Sequence, residues 1–215
     1  MPRAILAPGE HYHIYNRGLN KQILFYDSKD YSRMLFYVLF LQSPAPIFNI
    51  SKAVSPFPKK GYFNVSNKIL QRILARRTVE LKFFALMPNH FHVAVVERKE
   101  GGISSYLQKI QVAYTKYFNT KYKRSGYLFQ GPFQSVVIEN NEQLLHLSAY
   151  IHRNPKELRE WRTREYIYPW SSFQDYTTKN RWQELLDTKI ISEQFSGPRE
   201  YKHFVATSDA KELKY

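Results

Sequence analysis

Two β-rich runs separated by only two residues constrain the fold of this chain most. The runs are Val79 to Met87 and His90 to Val96, with Pro88-Asn89 between them. β-Branched and aromatic residues favour strands, and so short a connection between two strands is typical of an antiparallel hairpin. The sequence therefore predicts an antiparallel sheet built around this hairpin.

Strand and helix patterns alternate on either side of the hairpin. The predicted elements, in chain order, are a strand at 11–16, a helix at 29–42, a short helix after Ser66, the hairpin, a helix at 103–119, a strand at 133–138 and a helix from Asn140 to Asn154. Pro155 must end this last helix. The order β-α-β-β-α-β predicts an α+β, ferredoxin-like fold: an antiparallel sheet with helices on one face, plus an additional helix.

Composition along the chain suggests one main domain and an extension. Residues 1–155 form the predicted domain, and the prolines of 43–64 indicate a loop or insertion there rather than core. Residues 156–215 form a C-terminal extension with a possible helix at 181–187. Its tryptophans are expected to pack it onto the domain: Trp161, Trp170 and Trp182.

The charge balance limits the partners. The 32 Lys and Arg residues against 18 Asp and Glu give a net charge of +14 and an isoelectric point near 9.8. This excess of positive charge favours nucleic acid as a partner, although a merely basic globular protein has the same composition.

The absence of cysteine limits the chemistry. Without cysteine, thiol catalysis is excluded and any metal needs His, Asn, Gln, Asp or Glu ligands. We find no membrane-spanning run or signal peptide, so we expect a soluble, cytoplasmic protein without a membrane partner.

A histidine pair in the hairpin could form half of a metal site. In His90-Phe91-His92 the two-residue period of a strand sends both imidazoles to one face. Neutral imidazoles are common ligands of divalent metals. His11-Tyr12-His13 repeats the pattern in the first strand, so the pattern alone does not identify the metal pair. The later pair is favoured because it follows a tight turn in a strand expected to be central.

The last predicted helix has a polar stripe beside its apolar one. At about 100° per residue, this stripe contains Gln143, His146, Tyr150 and Asn154. Tyr150 and Asn154 are one turn apart and would lie together where the helix meets the sheet. The alternative interpretation is a tyrosine at the rim of the core, followed by an asparagine that ends the helix.

Four stretches together resemble one known family. They are Tyr12-His13-Ile14-Tyr15-Asn16-Arg17-Gly18, Leu86-Met87-Pro88-Asn89-His90-Phe91-His92, Leu128-Phe129-Gln130-Gly131-Pro132-Phe133 and Tyr150-Ile151-His152-Arg153-Asn154-Pro155. In this order they are similar to the REP-associated tyrosine transposases, which are single-tyrosine HUH transposases, where U is a hydrophobic residue. Tyr168-Pro169-Trp170-Ser171-Ser172 extends the resemblance over most of the chain.

The resemblance implies a chemistry. In the family the metal-binding pair follows Met-Pro-Asn, so the ligands fall on His90 and His92, whereas the earlier pair belongs to the first strand. The third ligand falls on Asn154, where relatives often have Gln. The nucleophile falls on Tyr150, which would form a 5′-phosphotyrosine, release a 3′-OH and later reverse the step. The implied cofactor is Mg²⁺ or Mn²⁺.

The implied substrate is single-stranded or hairpin-forming repeat DNA. Basic and aromatic side chains could follow its backbone and stack on its bases, although each could also be a solvated surface residue. The candidates are Lys116, Lys121, Tyr122, Lys123, Arg124 and Tyr127. A homodimer is possible, since related insertion-sequence enzymes form dimers.

Two other functions share parts of this pattern. An HUH replication initiator or relaxase uses the same tyrosine chemistry, but usually has a third histidine and helicase regions, which this sequence does not show. A non-catalytic, ferredoxin-like RNA-binding protein would have exposed aromatic residues on its sheet and no metal dependence.

Overall fold

The computed structural model describes residues 6–209 and contains a four-stranded sheet. Its strands are β1 (His11–Arg17), β2 (Val79–Met87), β3 (His90–Glu97) and β4 (Gln134–Ile138). They lie in the order β2-β3-β1-β4, and every neighbouring pair is antiparallel. With a helical connection from β1 to β2 and another from β3 to β4, this is the ferredoxin-like arrangement. The predicted fold class is confirmed.

Of the helices in residues 6–209, those at 28–40, 67–75, 102–121 and 141–153 follow the sequence patterns. The helices are α1 (Ser28–Phe40), α2 (Ile50–Val54), α3 (Phe57–Lys60), α4 (Asn67–Ala75), α5 (Gly102–Lys121), α6 (Asn141–Arg153), α7 (Phe173–Thr177), α8 (Lys189–Ser192) and α9 (Pro198–Thr207). Short 3-10 turns lie at Leu19–Lys21, Asn154–Glu157, Arg159–Trp161, Glu165–Ile167 and Gln183–Leu185. Within residues 6–209 no helix has the length and apolar composition needed to cross a bilayer.

The hairpin positions the end of β1 beside the start of β3. Pro88 and Asn89 form its turn. The chain that follows β1 binds this turn: the N–H of Gly18 donates to the Asn89 carbonyl and the N–H of Leu24 to the Pro88 carbonyl, both at 2.8 Å. β3 lies between β2 and β1 and is therefore central, as its apolar flanks predicted.

Helices pack on both faces of the sheet. α1 and α5 pack on one face, where they bury Ile14 of β1 and Phe91 of β3. On the opposite face, Phe83 and Ala94 pack against the apolar stripe of α6 and against α7 and α9. The ferredoxin-like pair of helices is thus on one face as expected, whereas α6 and the extension occupy the other.

The proline-rich segment at 43–64 is part of the core, so its placement outside the core was wrong. It forms α2 and α3, and buries Ala53, Val54 and Phe57 in the main apolar cluster. Phe57 stacks on Phe63 at 4.2 Å, and both rings lie within 6 Å of the ring of Trp182. The prolines break the backbone into short helices, but the aromatic rings between them still pack.

The extension binds along the outer edge of β2. The N–H of Leu86 donates to the Trp170 carbonyl at 2.9 Å, and the N–H of Ser172 donates to the Phe84 carbonyl at 3.0 Å. These bonds cover a sheet edge that would otherwise expose unpaired backbone groups. Trp170 also stacks on Tyr31 of α1 at 4.8 Å.

The expected contacts of the other two tryptophans and the expected helix at 181–187 are confirmed only in part. Trp182 packs on the 43–64 segment, whereas Trp161 packs on Tyr168 within the extension itself. The helix expected at 181–187 is only the single 3-10 turn Gln183–Leu185. The α-helices α7 to α9, which lie in the described part of the extension, were not predicted from the sequence.

Removal of the Phe57 ring should destabilise the protein. We expect Phe57→Ala to lower the free energy of unfolding by about 3–5 kcal/mol, as for other large core truncations. Phe48→Ala is the matched control, because Phe48 lies in the same segment but is 75% exposed, and its effect should stay below about 0.5 kcal/mol. Chemical denaturation measures both values, and similar losses in the two variants would contradict the core position of the segment.

Candidate active site

The two histidine patterns meet on one face of the sheet. In the β1–β3 pairing, Tyr15 lies opposite His92 and Arg17 lies opposite His90. His13 is therefore a diagonal neighbour of His92, and Nε2 of His13 lies 2.8 Å from Nδ1 of His92. Their ring centroids are 5.1 Å apart and their planes differ by 19°, so the two rings lie nearly coplanar, edge to edge. The earlier pattern does belong to β1, as expected, but it contributes His13 to the same polar cluster.

The imidazole of His90 is oriented by two amide oxygens. Its Nδ1 lies 2.7 Å from Oδ1 of Asn89, and its Nε2 lies 3.4 Å from Oδ1 of Asn154. Burial lowers the pKa of His90, which favours the neutral ring with a single N–H. An amide oxygen can only accept, so the short bond to Asn89 places that proton on Nδ1. Nε2 then directs a lone pair toward another acceptor, Oδ1 of Asn154.

Nε2 of His90 and Oδ1 of Asn154 are two acceptor atoms that point toward each other. A cation between them would remove the repulsion of their lone pairs. Two ligands at about 2.1 Å from one metal, with an angle of 90–109°, are roughly 3.0–3.4 Å apart. The 3.4 Å between Nε2 of His90 and Oδ1 of Asn154 fits this range. Asn154 is held in place by its amide, which donates to the Tyr150 carbonyl at 2.9 Å. Nε2 of His90 and Oδ1 of Asn154 are therefore spaced as two ligands of one divalent cation would be, and His92 is the neighbouring histidine, with its ring centroid 5.1 Å from that of His90.

A three-ligand site at this position needs the amide oxygen of Asn154 in addition to the two histidines. Among residues 6–209 there is no group of three or more His, Cys, Asp or Glu side chains suited to a metal ion. Burial, followed by the proximity of His13 and His90, lowers the pKa of His92 well below its ordinary value. His92 is therefore also a neutral imidazole, the form that binds metals.

Tyr150 lies beside this donor set. Its ring is 5.8 Å from the ring of His92, nearly perpendicular to it, and is half-buried. α6 ends one turn later, where Asn154 is its C-cap before Pro155. The four residues predicted for the site, Tyr150, His90, His92 and Asn154, are thus brought together by α6 and β3.

α6 is fixed to the rest of the molecule by its buried side. Leu144, Leu147 and Ile151 pack into the second apolar cluster, as the stripe predicted. His152 is completely buried, and its two nitrogens hydrogen-bond with Tyr201 at 2.7 Å and Ser172 at 2.8 Å. Burial lowers the pKa of His152 to about 3, so this ring is neutral. Its role is to join α6 to the extension.

His90 and His92 line a cleft of about 620 Å³ that also contains residues not predicted for the site. Its charged lining residues are Arg17, Lys21 and Glu157, which leave it net positive, and Gln130 lines it beside Arg17. Nε of Arg17 donates to Oε1 of Gln130 at 2.6 Å, which orients the guanidinium. Arg17 and Gln130 lie in the stretches that carried the resemblance, so a signal for them was present in the sequence.

Two of the six expected DNA contacts bind one buried carboxylate instead. Nζ of Lys121 lies 2.5 Å from Oδ1 of Asp30, and the Tyr122 hydroxyl donates to Oδ2 of Asp30 at 2.7 Å. Asp30 is completely buried at the start of α1. A buried carboxylate needs such partners. Lys121 and Tyr122 therefore serve the fold, a role that their spacing in the sequence did not reveal.

Three of the other four expected contacts are more accessible, whereas Arg124 is not. Lys116 and Lys123 are exposed, and Tyr127 is 83% exposed. Arg124 is half-buried and donates to Oε1 of Gln22 at 2.7 Å. Lys116 lies on α5, whereas the loop that contains Lys123, Arg124 and Tyr127 leads directly into residues 128–130, which pair with the end of β1 beside the cleft.

Comparison with known proteins supports the same family. Residues 51–154 match the sequence model described as Transposase IS200 like, and this segment contains His90, His92, Tyr150 and Asn154. A search of curated proteins finds no match. A similar solved structure is described as the REP-associated tyrosine transposase bound to a REP hairpin, with a TM-score of 0.57 and 14% identity. The alignment covers 92% of this chain and 95% of that one.

At this level of identity, the structural likeness shows a shared fold. The fold and the matched segment agree with the motifs of the sequence, which are carried by β1, β3 and α6. The resemblance is therefore confirmed: this chain has the fold of a REP-associated tyrosine transposase, and its residues 51–154 match the IS200-like transposase family.

Proposed function

We propose that this protein is a metal-dependent transposase or endonuclease that cleaves and rejoins single-stranded, hairpin-forming repeat DNA through a 5′-phosphotyrosine. The observation that carries the proposal is the position of Tyr150, with its ring 5.8 Å from that of His92 and one helical turn before Asn154. The match to the IS200-like transposases supports it, as does the REP hairpin that is bound to the similar solved structure.

In the proposed cleavage, the hydroxyl of Tyr150 attacks the scissile phosphorus. The bond from Oη to phosphorus forms as the bond from phosphorus to the 3′ oxygen breaks, and the phenol releases its proton. The 3′ oxygen takes up a proton and leaves as a 3′-OH. Half-burial at the rim between α6 and the sheet leaves this tyrosine accessible to an extended strand, in contrast to the completely buried Tyr114.

His90, His92 and Asn154 would hold the cofactor, Mg²⁺ or Mn²⁺. The bound ion would supply Lewis-acid stabilisation of the charge on the phosphate oxygens. Arg17 and Lys21 in the same cleft would attract the phosphate backbone. Because the phosphotyrosine conserves the phosphodiester linkage, another 3′-OH can reverse the step without a nucleotide cofactor.

The alternative functions have less support. An RNA-binding ferredoxin-like module binds bases on an open sheet face, but α1 and α5 cover one face here, and α6 and the extension pack on the other. A relaxase would be expected to have a third histidine ligand. In the described part of the chain, the nearest histidine to the pair is His13, and its Nε2 is hydrogen-bonded to Nδ1 of His92.

The nucleophile can be tested with hairpin DNA labelled at its 3′ end, because a 5′-phosphotyrosine retains that fragment. With Mn²⁺, the wild-type protein should form a labelled covalent adduct on a denaturing gel, and chelation of the metal should abolish it. Tyr150→Phe should fold and bind DNA but form no adduct, since only the hydroxyl is removed. His90→Ala should also form none.

Tyr114→Phe is the control for the nucleophile. Tyr114 donates to the Leu24 carbonyl at 2.6 Å in the core, so its loss should lower stability modestly and leave adduct formation intact. Peptide mapping of the wild-type adduct identifies the modified residue. A phosphotyrosine at any position other than Tyr150 would overturn the assignment.

The proposed substrate predicts a characteristic binding preference. Affinity should be higher for hairpin or single-stranded DNA than for blunt duplex of the same length, and should fall steeply with salt as counterions are released. Fluorescence anisotropy over a salt series measures both properties. A preference for duplex with a shallow salt dependence would contradict the single-strand mechanism.

Lys123 and Lys121 should behave differently although they are two residues apart. If exposed Lys123 contacts a phosphate, Lys123→Ala should weaken DNA binding, reduce the salt slope by about 0.7 and leave stability unchanged. Lys121→Ala leaves the buried carboxylate of Asp30 without its ammonium partner and should cost about 2 kcal/mol or more of stability. Denaturation and anisotropy separate the two effects, and equal stability of the two variants would contradict the internal role of Lys121.

A further inference from the structure

We propose that His13 is a positioning residue that fixes the tautomer of His92, so that His92 presents an unprotonated Nε2 to the proposed metal. The carrying observation is the 2.8 Å separation between Nε2 of His13 and Nδ1 of His92. Both side chains are buried, with 1% and 7% of their surfaces exposed. This inference rests on the proposed function, because it concerns one of the proposed ligands.

The separation of the two nitrogens leaves two arrangements of one proton. Two lone pairs would repel at this distance, so one N–H lies between the rings. If His13 donates it, a neutral His92 carries its own proton on Nε2, which then cannot bind a cation. If His92 donates it from Nδ1, Nε2 keeps its lone pair. Metal binding through Nε2 therefore requires His13 to be the acceptor.

His90 shows the same arrangement with a different partner. Its Nδ1 is 2.7 Å from Oδ1 of Asn89, an atom that can only accept. His13 would do for His92 what Asn89 does for His90. Acceptors behind the ring commonly fix the tautomer and orientation of a metal-binding histidine.

The position of His13 is rigid enough for this role. It pairs with Ala94 in the middle of β1 and β3, the two central strands. Its ring lies nearly coplanar with that of His92, edge to edge, and Tyr15 packs on both rings at 5.1 and 5.8 Å. A positioning residue on a paired strand holds its partner more accurately than one on a loop.

His11 provides a matched control. It lies on the same strand and the same face, but opposite Val96, farther from the hairpin turn. Burial lowers the pKa of His11, and so does the ammonium of Lys82, which belongs to another cluster of charged side chains. The earlier histidine pattern therefore contains one residue in contact with the site and one outside it.

Mn²⁺ binding to the DNA-free protein tests the proposal without an activity readout. By isothermal titration calorimetry, His13→Leu should weaken Mn²⁺ binding about 10-fold or more, as loss of such a partner does in other metal sites. His13→Gln should restore much of the affinity, because its amide oxygen can accept the Nδ1–H of His92. His11→Leu should bind as the wild type does.

Nitrogen-15 NMR of the wild-type protein, without metal and with diamagnetic Mg²⁺, reports the tautomer without any substitution. We expect His92 to be protonated on Nδ1 and not on Nε2. Protonation of Nε2 would overturn the proposal, even where His13→Leu does not fold.

His92→Ala distinguishes the two levels of inference. If the wild type binds no Mn²⁺, or if His92→Ala binds Mn²⁺ as tightly as the wild type, the metal site of the proposed function is wrong. The NMR measurement of the His92 tautomer then still decides the role of His13. If His92→Ala loses binding while His13→Leu retains wild-type affinity, the positioning role alone is wrong.

Discussion

The antiparallel pairing of β1 with β3 determines where the strand residues of the candidate site lie. Side chains alternate along a strand, so a shift of one residue would replace His90 and His92 on the polar face by apolar neighbours. The core prevents this shift, because Phe91, Val93 and Val95 are completely buried under α1 and α5. Burial of each contributes about 1.5–3 kcal/mol. The apolar face thus sets the register, and the register sets the site.

On the opposite face of the sheet, imidazoles occupy buried positions that usually hold apolar side chains. Burial lowers the pKa of His13 to about 3 and that of His92 well below its ordinary value, so both rings are neutral near pH 7. A buried polar group without a partner costs about 1–3 kcal/mol. The hydrogen bond between these two rings, and that between His90 and Asn89, offset this cost while directing the remaining nitrogens.

Local patterns in the sequence were sufficient for the four strands, for the helices α1, α4, α5 and α6, and for much of the site. The two-residue period put His90 and His92 on one face, and the helical period put Tyr150 and Asn154 one turn apart. Contacts between distant parts of the chain have no such local signature. The stacking of Phe57 near Trp182 and the ion pair between Lys121 and Asp30 depend on the completed fold, so the core role of 43–64 and the internal role of Lys121 were not predicted. The contact of His13 with His92 likewise depends on register, which neither strand encodes alone.

The geometry around Tyr150 also depends on residues outside the segment that matches the transposase family. Residues 51–154 include β3 and α6, but neither β1, which contributes His13 and Arg17, nor the extension. Tyr201 of α9 hydrogen-bonds with His152 and donates to Ser148, so two buried polar groups of α6 have partners outside the matched segment. Without these partners the buried side of α6 would lose hydrogen bonds and apolar cover together. The extension therefore positions the helix whose exposed border carries the proposed nucleophile.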